Sequence, residues 1–392
     1  MSVLDLPRQI YIESGILNRL DEFVVANGGN RAFIIMDSFL VNSCHLDEKV
    51  KEVLTKKGLE CTFFSNYSGE PTTNHVNDAL EQLNGFHGNC IIGVGGGSAI
   101  DLAKAVSLFG MNPNMKWSDI IGEPRLNRLP LIAVPTTAGT GSEATKVMVI
   151  TNIETNVKMN PGHPHLIPDA AILDPELTLS LPRNFTAYTG IDALTHAIEA
   201  YVSNRATPMS DLFALKAIRM ISTALPKACL NGRDIEARKR MSLASCFAGI
   251  AFSNSSTNLA HAAGRPLGAR FHIPHGLSVA LLLPFVMRFG LDAAKERYKD
   301  IAVALGADPS KTGDLAESSI RIIEDFNSKF GIWADGQKYI QPQALIDAVP
   351  TLVTDAMSGN GISTNRKIPA YHDIAVIYNM LVERLSKTST PI

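Results

Sequence analysis

The chain has 392 residues, of which 45% are hydrophobic and 19% charged, so it can bury two or three real cores and is not intrinsically disordered. Its 36 Lys and Arg residues nearly balance its 38 Asp and Glu residues, which leaves no electrostatic case for a nucleic-acid or membrane partner. The N-terminus lacks a signal-peptide pattern, and the five cysteines form no CxxC pair. We therefore expect a cytoplasmic protein with reduced thiols.

Four short apolar runs alternate with helical stretches in the first part of the chain. They are residues 32–36 (AFIIM), 90–94 (CIIGV), 131–134 (LIAV) and 170–173 (AAIL). Continuous apolar strands of this kind suit a parallel sheet that is covered on both faces. The pattern predicts an α/β domain over residues 1–182.

Beyond residue 182 the sequence pattern changes: long stretches with helical periodicity follow, and there are no comparable apolar strand runs. Apolar residues recur there at spacings of three and four, as in Leu212, Leu215, Ile218, Ile221 and Leu225. We expect an all-helical domain over residues 183–392.

A glycine-rich turn follows the second apolar run. Gly95, Gly96 and Gly97 have no side chains and let a phosphate approach the backbone. Ser98 is placed to cap the next helix, with Asp101 at the capping-box position, and the helix N-terminus offers free N–H groups to a pyrophosphate. A plain tight turn has the same pattern, so the glycines alone leave both interpretations open.

A second loop, PTTAGTGSEAT, follows the third apolar run and carries hydroxyl groups among small residues. Its candidate donors to a ligand are Thr136, Thr137, Thr140 and Thr145. Asp37 ends the first run, where an acidic side chain can accept hydrogen bonds from ribose hydroxyls and would repel a 2′-phosphate. This arrangement favours NAD over NADP, although Asp37 has the alternative role of forming a turn.

Metal-ligand residue types gather in the second half. Asp192 and His196 lie four apart on a helical pattern, a spacing that holds a cation from one side or forms a hydrogen-bonded pair. His261 and His275 flank a Gly- and Pro-containing segment that could fold them together, and His272 lies nearby. Imidazoles with one carboxylate make a site suited to Fe²⁺, Zn²⁺, Mn²⁺ or Co²⁺.

His163 and His165 also have ligand-like H-x-H spacing. They lie in a Pro/Gly loop with no carboxylate in helical register, and we interpret them as surface or hinge residues.

The ordered motifs GVGGGSAIDLAKAV, PLIAVPTTAGTGSEAT, LIPDAAILDPELTLSLP, TGIDALTHAIEAYVSN and LAHAAGRPLGARFHIPHG resemble the iron-containing (group III) alcohol dehydrogenase family. The resemblance implies a dehydroquinate synthase-like fold with a nucleotide-binding α/β domain and a helical metal-binding domain. It implies a metal-dependent NAD(H) alcohol dehydrogenase or aldehyde reductase with Fe²⁺, or else Zn²⁺, as its ion. A homo-oligomer, dimeric or larger, is expected.

Carried over by position, the resemblance assigns a role to each motif residue. The metal ligands would be Asp192, His196, His261 and His275, and the cofactor would be lined by Gly96, Gly97, Ser98, Thr136, Thr137 and Thr145. Lys158 and Leu177 would lie near its ribose and nicotinamide, with Asp37 at the adenosine ribose.

Three positions depart from the family pattern. Arg265 stands where many relatives have a histidine, Gly361 where many have a cysteine, and His272 where relatives often have asparagine or another polar residue. Since arginine binds oxyanions in a fork, we hypothesise that Arg265, with space left at Gly361, admits a substrate with an anionic head group. The alternative is that Arg265 pairs with an internal carboxylate. His272 either replaces the missing proton carrier or is structural.

Competing functions share much of this pattern. A lyase like dehydroquinate synthase would use NAD only transiently, and a metal-free reductase like the maleylacetate reductases would keep the fold without the ion. A pure binding or filament protein would need neither the two loops nor the four candidate ligands.

Overall fold

The computed structural model describes residues 3–155 and 157–387, which form two compact units. The first is made of residues 5–180, and the second of residues 181–387 together with residues 3–4. The predicted division at residues 182 and 183 lies beside this boundary.

A six-stranded parallel sheet in the order β1-β8-β5-β4-β2-β3 forms the centre of the first unit. Its strands are β1 Gln9–Ile12, β2 Arg31–Met36, β3 Glu60–Phe64, β4 Cys90–Gly95, β5 Leu131–Pro135 and β8 Ala170–Leu173. The strands β6 Ile150–Asn152 and β7 Val157–Met159 form a separate two-stranded antiparallel sheet in the same unit. The helices are α1 Leu20–Ala26, α2 Ser38–Asn42, α3 Leu46–Thr55, α4 Thr73–Phe86 and α5 Gly97–Phe109. Short 3₁₀ turns cover Ile16–Arg19, Trp117–Ile121, Ser142–Ala144, Pro164–Leu166 and Pro175–Thr178.

The four predicted strands are β2, β4, β5 and β8, the inner strands of this sheet. On β2, Phe33 and Ile35 pack into one apolar cluster, while Ile34 and Met36 pack into another on the opposite face. Because both faces are covered, residues 32–36 of this strand are all apolar. The predicted α/β fold is confirmed.

The carboxyl ends of three neighbouring strands bring the predicted nucleotide-binding residues to one edge of the sheet. From β2 the chain continues outward to β3, whereas from β4 it continues in the opposite direction to β5. Asp37 follows β2, Gly95 ends β4, and Thr136 follows β5. Such a reversal of strand order is where open α/β sheets bind nucleotides.

The second unit is helical throughout its described residues, as predicted. Its helices are α6 Arg183–Val202, α7 Pro208–Leu230, α8 Ile235–Ser253, α9 Leu259–Phe271, α10 His275–Gly290, α11 Lys295–Leu305, α12 Leu315–Phe330, α13 Ile332–Tyr339, α14 Pro342–Met357 and α15 Tyr371–Ser386, with a 3₁₀ turn at Asp292–Ala294. Within the described residues, no single helix is both long and apolar enough to cross a membrane. The pair His275–Gly290 and Asp292–Leu305 reaches that length and composition only jointly, across a 76° bend.

Two glycines allow α6 to pack closely against its neighbours. A Cβ atom at Gly190 would overlap the Leu225 side chain of α7, and one at Gly276 would overlap the Tyr188 carbonyl of α6. The first turn of α10 therefore lies directly against α6. This contact places His275 beside the helix that carries Asp192.

Candidate metal centre and nucleotide loops

Three side chains from three helices meet in the helical unit. Asp192 of α6, His261 of α9 and His275 of α10 each offer a ligand atom, and these atoms lie within 4.8 Å of one another. Asp192 Oδ1 is 3.4 Å from His261 Nε2 and 3.7 Å from His275 Nε2. One carboxylate and two imidazoles at these separations can share a cation.

His196 adjoins this cluster but is not one of the three. It lies one turn after Asp192 on α6, and its Nδ1 is 3.9 Å from Asp192 Oδ2. Its ring stacks against those of Phe252 and His261, with centroids 4.3 Å away in both cases. The four-residue spacing thus places His196 at the edge of the site, in a ring orientation that two aromatic neighbours restrain.

The Gly- and Pro-containing segment between His261 and His275 is mostly helical. It forms α9 with Pro266 inside the helix, and the chain reverses at His272, whose φ of 53° is left-handed. The His261 and His275 rings then lie 5.6 Å apart. The structure places His272 at this exposed turn, outside the cluster.

Buried polar atoms at the cluster lack hydrogen-bond partners. They are Asp192 Oδ1, His196 Nδ1 and His261 Nε2. Leaving one such atom unpaired costs about 1–3 kcal/mol, so a concentration of three is costly unless a ligand satisfies them. A divalent cation is that ligand, because all three atoms are donors of the N/O class that Fe²⁺ and Zn²⁺ accept. The residues therefore fit a metal ion.

The charge states of the cluster also suit a cation. Burial would raise the pKa of Asp192, but the surrounding imidazoles outweigh it and hold that pKa well below its usual range. Burial lowers the pKa of His196 to about 3, which keeps its ring neutral. For His261, the carboxylates of Glu199 and Asp192 outweigh burial and raise the pKa to about 9. A cation that binds His261 Nε2 thus displaces a proton.

Glu199 lies against the cluster and is not among the residues that the sequence singled out. Its buried carboxylate accepts hydrogen bonds from Asn258 N at 2.8 Å and Ala260 N at 2.6 Å, and from His261 Nδ1 at 2.6 Å. The signal was present on α6, since Asp192, His196 and Glu199 follow one another at spacings of four and three, on one face of the helix.

Arg265 lies one turn after His261 on α9, on the face toward the cluster, and its charge contributes to lowering the pKa of His196. It is half-buried and donates one long hydrogen bond, 3.4 Å, to Asn360 Oδ1. Among the described residues no carboxylate lies within ion-pair distance of its guanidinium. The alternative in which Arg265 pairs with an internal carboxylate is therefore wrong.

The expected space at Gly361 is also absent. A Cβ atom there would overlap the Asn258 carbonyl oxygen and touch Ala262, because the segment after α14 packs directly on the start of α9. Gly361 thus allows a close backbone approach and leaves no cavity for a substrate.

The two predicted nucleotide loops lie against each other in the α/β unit. The Thr136 N–H donates to the Gly95 carbonyl at 2.9 Å, and a Cβ atom at Gly97 would come within 3.0–3.2 Å of Thr140. Gly95 has a φ of 153°, a conformation that L side chains rarely adopt. The glycines are therefore required both for the turn and for the contact between the loops.

The predicted capping of α5 is wrong. The N-cap residue is Gly96, without a side-chain cap, so Ser98 lies inside the helix and the first N–H groups remain free. Asp101 instead accepts from Ser142 Oγ, Val149 N at 2.9 Å and Lys104 Nζ at 3.4 Å. The Asp101 carboxylate therefore binds groups of the protein itself and does not cap α5.

A fully buried lysine joins α5 to the threonine loop. Lys104 Nζ donates to Thr145 Oγ1 at 2.9 Å, to the Val147 carbonyl at 2.6 Å and to Ser142 Oγ at 3.2 Å. Burial lowers its pKa, while Asp101 opposes that change. The Thr145 hydroxyl is consequently directed into the protein, and Lys104 holds the loop in place. Thr137 is half-buried beside Gly96.

The remaining candidates occupy varied positions. Asp37 is the N-cap of α2 and accepts from Phe39 N at 2.7 Å, the turn role foreseen as its alternative. Lys158 is exposed on β7 and pairs with Glu70, and Leu177 is half-buried against the core.

The two histidines with H-x-H spacing are structural. His163 is buried and its Nε2 lies 3.0 Å from the Glu123 carbonyl, while the exposed His165 contacts the backbone of Leu126. The surface interpretation is therefore wrong for His163.

Comparison with known proteins agrees with this arrangement. The chain is 43% identical over 312 residues to a probable alcohol dehydrogenase, EutG, of Salmonella typhimurium, with 79% of each chain covered. It is 34% identical to an NAD-dependent methanol dehydrogenase of Bacillus methanolicus, covering 95% of this chain and 97% of that one. It is 36% identical to an NADPH-dependent butanol dehydrogenase of Clostridium saccharobutylicum, covering 83% and 84%.

A solved structure of a 1,3-propanediol oxidoreductase superposes with a TM-score of 0.91 at 32% identity, covering 97% of this chain and all of that one. The family model for iron-containing alcohol dehydrogenase matches residues 7–175, and the model for the C-terminal part of the Fe-containing alcohol dehydrogenase family matches residues 186–382. The chain belongs to the iron-containing alcohol dehydrogenase family.

Proposed function

We propose that this protein interconverts a short alcohol and its aldehyde, with NAD(H) as hydride carrier and Fe²⁺ held by Asp192, His196, His261 and His275. The observation that carries the proposal is the convergence of Asp192, His261 and His275. At the same place, the buried atoms Asp192 Oδ1, His196 Nδ1 and His261 Nε2 have no hydrogen-bond partner. In this family a resident divalent metal supplies Lewis acidity to the alcohol or carbonyl oxygen.

The side chains of the helical unit orient the ligand atoms. Stacking between Phe252 and His261 restrains the His196 ring, and the hydrogen bond to Glu199 restrains His261. A bound nicotinamide would accept one hydride from the carbinol carbon while the hydroxyl proton passes to solvent, and aldehyde reduction would be the reverse. Arg265 takes no part in this proton transfer, because a guanidinium stays protonated.

The α/β unit supplies the cofactor site in this proposal. Free N–H groups at the start of α5 and the bare backbone of Gly96 and Gly97 suit a pyrophosphate. Asp37 lies where a carboxylate accepts from ribose hydroxyls and repels a 2′-phosphate, which favours NAD over NADP. Since the relatives include both an NAD- and an NADPH-dependent enzyme, this preference rests on Asp37.

An assay of propanal and 1-propanol tests the proposal. Protein reconstituted with Fe²⁺ or with Zn²⁺ is supplied with propanal and NADH or NADPH, or with 1-propanol and NAD⁺ or NADP⁺. Oxidation or reduction of the cofactor is followed with and without a chelator. We expect stoichiometric NADH oxidation that the chelator abolishes and that NADPH supports poorly. Absence of net NADH oxidation would favour the lyase alternative, and an unaffected rate after chelation would favour the metal-free reductase.

We also propose a cytoplasmic homo-oligomer, dimeric or larger. The described residues contain no disulfide, and Cys44 is an exposed free thiol, as is typical of a reducing compartment. Within the part of the chain that the structure describes, no strand pairs with the outer side of β1 or β3, the edge strands of the sheet, and oligomer contacts often cover such edges. Light scattering on the purified protein tests this, and a monomer at micromolar concentration would contradict it.

A further inference from the structure

The half-buried guanidinium of Arg265 has fewer partners than the other embedded arginines of this chain. Arg297 donates to both carboxylate oxygens of Asp211, at 3.0 and 2.9 Å, and Arg128 donates to Asp169 and to three carbonyl groups. Arg265 has five N–H donors but, to the residues that the structure describes, makes one hydrogen bond, at 3.4 Å, to a neutral amide.

The carboxylates nearest to Arg265 are already committed to other groups. Glu199 accepts from backbone N–H groups and from His261, and Asp192 faces three histidines. Both act on Arg265 through space, yet neither forms an ion pair with it. The positive charge of Arg265 therefore lies one helical turn from His261, a predicted metal ligand, and no carboxylate forms an ion pair with it among the described residues.

We propose that Arg265 binds an anionic head group of the substrate, a carboxylate, sulfonate or phosphonate carried on a short aldehyde or alcohol. This inference rests on the proposed function. The planar fork of arginine matches two oxygens of such a group, and a partly desolvated charge-assisted pair is strong. The anion completes the hydrogen bonding of Arg265, while the carbonyl end of the same molecule accepts the hydride.

Matched substrates and variants test this. The rates of NADH-dependent reduction of succinate semialdehyde, sulfoacetaldehyde and phosphonoacetaldehyde are compared with those of propanal and butanal. The variants are Arg265→Gln, which removes the charge, Arg265→Lys, which keeps the charge without the fork, and Arg270→Gln, an exposed control on the same helix. For the best anionic substrate, we expect Arg265→Gln to lower kcat/KM by about 10–100-fold relative to propanal, Arg265→Lys to lower it less, and the control to leave it unchanged.

An unchanged ratio of anionic to neutral kcat/KM in Arg265→Gln would overturn the inference. A weakened Kd for NADH in this variant, measured without substrate and accompanied by an unchanged ratio, would also overturn it, by assigning Arg265 to the cofactor phosphates. Turnover of propanal is a separate outcome. If wild type reduces propanal but Arg265 does not discriminate, the proposed function stands and only this inference fails.

An independent set of contacts concerns Glu199. The carboxylate reaches from α6 to the first turn of α9, where the N-cap Asn258 offers no side-chain cap. Its Oε2 accepts from Asn258 N and His261 Nδ1, and its Oε1 accepts from Ala260 N and, at 3.4 Å, from His261 N. One side chain thus caps the helix and holds the imidazole that the helix carries.

We infer that Glu199 is a positioning residue that keeps the proton of His261 on Nδ1 and leaves Nε2 available to the cation. Carboxylate–histidine–metal arrangements of this kind fix the tautomer and strengthen the ligand. Nε2 is 3.4 Å from Asp192 Oδ1 and has no other protein partner, which is consistent with this role.

Glu199→Met tests the role, because methionine has a similar length but no acceptor. In metal-free protein with ¹⁵N-labelled histidine, held at a pH above 9 so that the His261 ring is neutral, we expect the variant to lose the single Nδ1–H tautomer of His261. In Zn²⁺-loaded protein, we expect release to a chelator to be about 10–100-fold faster. Glu199→Gln, which keeps one oxygen, is expected to be intermediate and serves if the Met variant does not fold, and Glu81→Gln is the exposed control. Lowered stability with an unchanged tautomer and release rate would mean that Glu199 is only a helix cap, and would overturn the inference.

Discussion

In the α/β unit the polar groups around the nucleotide loops are bonded to one another, whereas in the helical unit the groups around Asp192 leave buried atoms without partners. Lys104 satisfies Ser142, Thr145 and Val147, while Asp192 Oδ1 has no hydrogen-bond partner. The difference follows from the ligands. A dinucleotide binds to free backbone N–H groups and needs space, and a loop whose side chains are all hydrogen-bonded can provide both. A metal ion instead needs ligand atoms that have no partner within the protein.

The largest effect is expected from Asp192→Asn. The amide removes the one carboxylate of the cluster, so we predict loss of bound metal and a fall in kcat/KM of about 1000-fold or more. Metal content and aldehyde reduction are measured together. Asp355→Asn, at an exposed position of α14, is the control. Retention of stoichiometric metal and of the wild-type rate in Asp192→Asn would show that the unpaired atoms serve another purpose.

Lys104→Met should damage the bonded network of the α/β unit. Removing the buried ammonium leaves Asp101 and the threonine loop without their partner, at a cost of about 3–5 kcal/mol. The chain has two tryptophans, Trp117 in the α/β unit and Trp333 in the helical unit. Urea unfolding followed by Trp117 in a Trp333→Phe background measures this loss. Adding Asp101→Leu should recover part of it, and a loss below about 1 kcal/mol would contradict the account.

Glu143 should make the stability of the α/β unit depend on pH. Burial raises its pKa from 4.5 to about 7, although nearby Lys104 opposes the change. Because the folded pKa is the higher one, the contribution of the protonated carboxyl to stability is complete below pH 4.5 and is lost as the pH rises through 7. The free energy of unfolding of the α/β unit, followed by Trp117 fluorescence, should therefore fall by about 3 kcal/mol between pH 4.5 and 8. Glu143→Gln should remove this dependence, and an equal slope in that variant would contradict the assignment.

Metal binding should stabilise the two units unequally. At a concentration of free Zn²⁺ 100 times its Kd, the Trp333 transition, followed in a Trp117→Phe background, should gain about 2.7 kcal/mol. The Trp117 transition should not move, since the residues that fit the ion all belong to the helical unit. Equal stabilisation of both transitions would remove the contrast between the units.

The smallest effect is expected from Gly96→Ala, which tests cofactor binding without disturbing the fold. A Cβ atom at Gly96 would lie 3.7 Å from Thr137, an ordinary contact, so Gly96→Ala should fold with nearly unchanged stability. The added methyl group occupies the space proposed for the pyrophosphate, and the Kd for NADH should rise by about tenfold. Fluorescence titration measures it. An unchanged Kd would place the pyrophosphate elsewhere.

The sequence predicted the inner strands of the sheet but not its edges. Strands β2, β4, β5 and β8 are covered on both faces and read as continuous apolar runs. The edge strands QIYI and ECTFF and the β6–β7 hairpin are partly exposed, so polar residues interrupt them and the signal is lost.

At the site, residues singled out in the sequence on three different helices lie together, but one contact between helices was not predicted. The α6 pair Asp192 and His196 follows from helical periodicity, whereas the partner of Glu199 is the start of α9, which no local pattern reveals. Gly361 was misinterpreted for a related reason, since a glycine leaves space only where the backbone of a neighbour does not fill it.

The most direct measurement is a diffraction experiment on crystals of the Fe²⁺-loaded protein, with anomalous differences collected at the iron edge. We predict a single strong peak within bonding distance of a carboxylate oxygen of Asp192 and of one ring nitrogen from each of His196, His261 and His275. A peak at any other group of side chains, or one that only Asp192 and a single histidine reach, would contradict the account.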